Sequence, residues 1–188
     1  ADPDKGEQRL RLADIYTALE TSAMRGVERE EEMHHFLARL GQSERIPAQE
    51  MADRSALLLL LGNPGSGKSS FVKHLAYTLA QANLAADPAP VLQVLEPWTH
   101  GPRLPVLVEL RQVAALAAQA AIAHGDRHLL LRYLEELCAS WQQAASWPWL
   151  KSVLSDTEPG RLLLPDGLDE APTHPRQFIA DMIRKLVP

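Results

Sequence analysis

Leu57-Leu58-Leu59-Leu60-Leu61-Gly62-Asn63-Pro64-Gly65-Ser66-Gly67-Lys68-Ser69-Ser70 is the passage on which the fold of this chain turns. Its first half is short, uniformly apolar and ends abruptly at a glycine, which favours a buried strand over Ser55 to Leu61, covered on both faces. Its second half satisfies the pattern G-x-x-x-x-G-K-[ST], and beyond it Phe71, Val72, Leu75, Ala76 and Leu79 mark one face of a helix running to about Asn83. Strand, glycine-rich loop and helix in that order suit phosphate binding. Glycines let backbone amides turn inward toward phosphate oxygens, and the positive end of the helix adds to the attraction. Gly62, Asn63, Pro64, Gly65, Ser66, Gly67, Lys68, Ser69 and Ser70 are therefore the candidate nucleotide-binding residues. Lys68 would reach the β and γ phosphates, and the Ser69 hydroxyl would ligate Mg²⁺. The bland alternative is a glycine-rich turn without a ligand. A chance match has a probability on the order of one per cent in a chain of this size, and the flanking strand and helix lower it further.

A phosphate loop also needs a carboxylate at the end of a neighbouring strand to hold the metal's water shell. Two further strands are predicted, both β-prone and bounded by Pro or Gly: Leu104 to Leu110, and Gly160 to Pro165. The second runs into Asp166-Gly167-Leu168-Asp169-Glu170, where Asp166 is the candidate metal residue. Asp169 and Glu170 are candidates to orient or deprotonate the water that attacks the γ-phosphate. An acidic loop capping a final helix is the competing reading of the same residues.

The rest of the chain fills in an α/β pattern. The first forty residues read as two helices, with apolar stripes through Leu10, Ile15, Tyr16 and Leu19, then Met33, Phe36, Leu37 and Leu40. Residues 42–54 are a polar stretch, and the proline-rich passage from Asn83 to Arg103 is mainly loop with room for one short element. After the second strand comes an Ala-rich helix, then one with Leu130, Leu134, Leu137, Cys138 and Trp141 on its core side. Trp147 and Trp149 are expected to pack a corner of the core. A last helix shows Phe178, Ile179, Met182, Ile183 and Leu186 on one face. Strands alternating with helices imply a parallel sheet between helical layers. The organisation is an N-terminal helical segment and linker over 1–54, then an α/β unit over 55–188.

Composition narrows the function classes. With 188 residues, 46% hydrophobic and 23% charged, the chain is ordinary for a compact domain. A net charge of -5 and 5% aromatic residues leave no direct signature for coating nucleic acid or an anionic membrane. No apolar run approaches the roughly 20 residues needed to span a bilayer. The single Cys138 fits a reducing, cytoplasmic setting. The seven histidines are scattered, and His34-His35 are adjacent on a helix rather than four apart on one face. No metal beyond nucleotide-bound Mg²⁺ is expected.

Three blocks together resemble the NACHT family of signal-transduction NTPases, in the STAND branch of P-loop proteins. They are Leu59 to Ser70, Leu104-Pro105-Val106-Leu107-Val108-Glu109-Leu110-Arg111, and Leu162-Leu163-Leu164-Pro165-Asp166-Gly167-Leu168-Asp169-Glu170. The third is the most specific. The resemblance implies a P-loop three-layer sandwich whose parallel sheet is incomplete in this chain. It also implies a switch: ADP holds a closed monomer, ATP exchange opens it, and opened subunits self-associate to activate an attached effector in immune or stress signalling. A weaker echo at Leu12 to Leu19 implies that Tyr16 and Thr17 lie on the adenine side of the nucleotide. Pro165 stands where relatives usually carry a large apolar residue. It is either tolerated at the strand's last position or it displaces Asp166, and the sequence leaves both open. No later strand with a sensor arginine follows, so the chain is expected to be the N-terminal part of a longer protein, binding nucleotide weakly and hydrolysing it poorly by itself. The rival readings are an oligomerisation module that retains nucleotide without hydrolysing it, and another P-loop enzyme, a kinase or a DNA-dependent ATPase.

Overall fold

The computed structural model describes residues 20–21, 46–119, 127–155 and 160–167. The helices expected in the first forty residues and over 178–186, together with Tyr16, Thr17, Asp169 and Glu170, lie outside the described residues. In chain order the elements are β1 (Glu20–Thr21), β2 (Ile46–Pro47), α1 (Ala48–Arg54), α2 (Lys68–Leu84), α3 (Ala89–Leu92), β3 (Leu104–Glu109), α4 (Leu110–Gln119), α5 (Arg127–Ser140), α6 (Trp147–Ser155) and β4 (Arg161–Asp166). Short 3₁₀ turns occupy Gln93–Leu95 and Ala144–Ser146.

β3 and β4 pair in parallel, from Leu104 opposite Arg161 to Glu109 opposite Asp166. Each strand alternates its side chains between two apolar clusters. Val106, Val108 and Leu163 face α4, α5 and α6, packing with Val113, Leu116, Leu129, Leu130, Tyr133, Leu134 and Leu154. Leu107, Leu162 and Leu164 face α2, packing with Phe71, Leu75 and Leu79. Apolar residues on both faces of a parallel pair are what a sheet covered on both sides requires. Pro165 falls inside β4, opposite Val108. A residue without an amide donor is tolerated there because β4 has a hydrogen-bonded neighbour on one side only among the described residues.

The first predicted strand departs from expectation. Residues 55–63 carry no strand pairing among the described residues, and the segment is not covered on both faces. Leu60 packs onto the α2 cluster. Leu57, Leu59 and Leu61, on alternate positions, remain 62%, 67% and 65% exposed. The period of two survives while the ladder that would define a strand has no neighbour beside it.

The polar stretch 42–54 contains an element that periodicity did not mark. α1 runs from Ala48 to Arg54 because its polar side chains find tertiary partners. Gln49 Nε2 donates to the carbonyls of Val94 (3.2 Å) and Glu96 (3.1 Å). Asp53 Oδ1 accepts from the Thr99 amide (2.6 Å) and hydroxyl (3.0 Å). His100 Nε2 lies 2.7 Å from the Asp53 carbonyl and so carries the proton there, leaving Nδ1 to accept from Arg103 Nη2 at 3.2 Å. These bonds fasten the loop before β3 onto α1. Trp98 completes the join, its ring buried in the α2 cluster and its indole N–H donating to Gly101 O at 2.8 Å.

Two tryptophans are placed differently from expectation. Trp141 ends 66% exposed, just past α5, and Trp149 ends 59% exposed on α6, whereas Trp147 packs against the α4–α6 cluster. Cys138 is buried, as its place on the α5 stripe predicts.

His74, on α2, is buried, and burial pushes its imidazole below the ordinary 6.5. The folded chain thus favours the neutral ring, while the unfolded chain protonates near its ordinary value. His74 therefore contributes full stability above about pH 6.5. That contribution is lost as pH falls below 6.5 and levels off beneath the folded-state value. In His74→Gln, the urea midpoint should lose this component of its acid-side slope, whatever its absolute value.

Candidate functional site

The glycine-rich loop owes its shape to two left-handed residues. Gly65 has φ +79° and Gly67 φ +91°, conformations that a side chain would strain. Ser66 N donates to Asn63 O at 3.1 Å, closing a turn. Phe71 N donates to Gly67 O at 2.9 Å, beginning α2, and no side chain among the described residues caps that helix. At Gly62 an added Cβ would meet Ser66 Oγ at 2.9 Å, so a larger residue there requires the Ser66 hydroxyl to turn away.

Lys68, the first residue of α2, folds over this loop. Its ammonium donates to Gly62 O (2.7 Å) and Asn63 O (3.1 Å) and lies 3.5 Å from Ser66 Oγ. Asn63 to Ser66 and Ser70 are exposed, whereas Gly67, Lys68 and Ser69 are half-buried. The loop is open to a ligand while its charged group is held in place.

Ser69 carries the long-range contact. Its hydroxyl donates to Asp166 Oδ1 at 2.9 Å, across 97 positions of sequence. That contact is local in space because Phe71, Leu75 and Leu79 hold α2 against Leu164, two residues before Asp166 on the same face of β4. Pro165 does not displace Asp166: the carboxylate keeps its register with β3 and its bond to Ser69. Gly167, just past the strand, takes the left-handed φ of +81° that favours glycine.

The structure thus brings Gly62 to Ser70 and Asp166 together at one end of the β3–β4 pair. A serine hydroxyl beside a carboxylate is an all-oxygen donor pair of the kind Mg²⁺ takes, together with phosphate oxygens and water. No group of three or more His, Cys, Asp or Glu suited to a metal occurs among the described residues. Such a protein cage is not required, because Mg²⁺ commonly relies on the substrate's phosphates.

One acidic residue at this end has no role in the sequence reading. Glu109, the last residue of β3, lies directly opposite Asp166. Only strand register reveals this, since the two stand in separate blocks of sequence. Gln112 Nε2 donates to Glu109 Oε2. Behind the strand end, burial pushes the Tyr133 phenol above its ordinary 10.0; a hydrogen bond with the Glu109 main chain lowers it, and the Glu109 charge raises it.

No family model, curated protein or solved structure matches the chain. No helix among the described residues is long and apolar enough to cross a membrane.

Proposed function

We propose that the chain is the nucleotide-binding part of a Mg²⁺-dependent ATP switch of the NACHT kind, in a three-layer P-loop arrangement. The observation that carries this is the 2.9 Å bond from Ser69 to Asp166. It joins the last polar residue of the G-x-x-x-x-G-K-[ST] pattern to a carboxylate at the C-terminal end of a parallel strand, as a phosphate loop and its metal-side acid require.

Each residue then has a task. The amides of Gly65 to Lys68 line the phosphate tail, and the Lys68 ammonium exchanges loop carbonyls for phosphate oxygens. Ser69 and Asp166 hold the cation, which supplies charge neutralisation on the β and γ phosphates. Asp169 or Glu170 positions the attacking water. ATP and ADP differ at the γ-phosphate, and that difference biases closed against open subunits, so turnover need only be slow. Self-association of opened subunits, activation of an attached effector, a role in immune or stress signalling and a cytoplasmic setting follow from the same reading.

Titrating ATP, ADP and GTP with and without Mg²⁺, reading melting temperature, tests it. Saturating adenine nucleotide with Mg²⁺ should raise the midpoint, by about 2.7 kcal/mol of linkage at a hundred times Kd. No shift with any nucleotide would sink the reading. ATP turnover in Asp169→Asn and Glu170→Gln separates a hydrolysing switch, whose turnover these variants abolish, from a module that binds without hydrolysis.

A further inference from the structure

We propose that Glu109 is a second carboxylate of the metal side of this site, accepting hydrogen bonds from water bound to the divalent cation beside Asp166. The inference rests on the nucleotide-binding reading above and extends it to a residue that the sequence motifs leave unassigned.

The placement follows from register. Glu109 and Asp166 are opposite one another at the C-terminal ends of neighbouring parallel strands. Such strands lie about 4.8 Å apart, and opposed residues share a face. Leu107, Leu162 and Leu164 pack into the α2 cluster, so the alternation puts Glu109 and Asp166 on the α2 side. Asp166 meets Ser69 there, at the start of α2. Mg²⁺ is held through one or two carboxylates plus phosphates, with the remaining positions filled by water, so a second acid at this spacing suits its outer shell. The Gln112 amide holds one oxygen of Glu109, and a carboxylate has about four acceptor positions in all, so acceptor capacity remains for metal-bound water.

The competing account makes Glu109 a local device at the start of α4, with Gln112 three residues on as its partner. The two accounts differ in what they couple to. A helix-start role changes the stability of the ligand-free chain and leaves metal binding alone.

The test titrates a fluorescent ADP analogue into the chain with EDTA and then across a Mg²⁺ series, for wild type, Glu109→Gln and Glu109→Asp. In wild type, Mg²⁺ should tighten nucleotide binding. Glu109→Gln should keep the Mg²⁺-free affinity within about twofold and lose about tenfold in Mg²⁺ affinity, the usual cost of removing an outer-shell partner. Glu109→Asp keeps the charge and a good helix-start residue, and should fall between the two. An unchanged Mg²⁺ dependence in Glu109→Gln overturns the inference and leaves nucleotide binding standing. If circular dichroism shows that variant unfolded, an unchanged Mg²⁺ dependence in Glu109→Asp overturns it. Failure of wild type to bind nucleotide under either condition overturns both this inference and the reading it rests on.

Discussion

Lys68→Ala should weaken ATP and ADP binding by a factor of roughly 10 to 150, corresponding to about 1.5–3 kcal/mol for a hydrogen bond to a charged group. The ammonium is the single full positive charge placed on the loop, with Gly62 O and Asn63 O at 2.7 and 3.1 Å holding it over the turn. Those carbonyls set the direction in which it can meet a phosphate. The ligand-free chain should lose little stability, because Lys68 is half-buried and the loop carbonyls it meets lie near solvent. Calorimetric titration and melting temperature, measured on the same preparation, check both halves. Lys68→Arg should not rescue binding, since the planar guanidinium is too wide for a point-charge site in so tight a loop. Equal affinity in wild type and Lys68→Ala would mean that the glycine-rich turn is only a turn.

What could be read in the sequence, and what could not, divides along local against tertiary information. The helix after the loop was legible because Phe71, Leu75 and Leu79 recur at helical spacing, and all three are buried. The strands at Leu104–Glu109 and Arg161–Asp166 were legible because β-prone runs end at proline or glycine. α1 was not legible: Gln49 and Asp53 look like loop residues until their partners at Val94, Glu96 and Thr99 are brought to them. Trp141 failed for a related reason. It continues the α5 stripe in sequence, yet helix α5 stops at Ser140 and the indole leaves the core side. Within the site, the loop and Asp166 followed from motif spacing, and their 2.9 Å contact is the tertiary fact that spacing could only anticipate. Glu109 shows the opposite case, a residue whose neighbour is set by strand register alone. Periodicity says which face a residue takes, and it is silent on what stands across from it.

Leu79→Ala should be a strongly damaging core change, costing about 2–5 kcal/mol. Leu79 is fully buried at 0% exposure, in the cluster where α2 meets Leu107 of β3 and Leu162 and Leu164 of β4. It sits in the turn of α2 above Asn83, whose side-chain amide donates to Leu79 O at 2.8 Å and to Arg103 O at 2.9 Å. Those two bonds tie the end of α2 to the chain entering β3. The site therefore cannot collapse easily around a lost side chain, and the residual cavity adds to the transfer cost. A chain of this length should lose about 10 °C in melting temperature for about 3 kcal/mol. The consequence reaches function because α2 is the rod that sets Ser69 against Asp166. If the cavity lets α2 shift on the β3–β4 pair, the Mg²⁺-dependent part of nucleotide affinity should fall more than the Mg²⁺-free part. Leu79→Met, which keeps volume, should preserve both stability within about 1.5 kcal/mol and the metal dependence. A Leu79→Ala chain with unaltered melting temperature would show that the α2 cluster does not hold the site together.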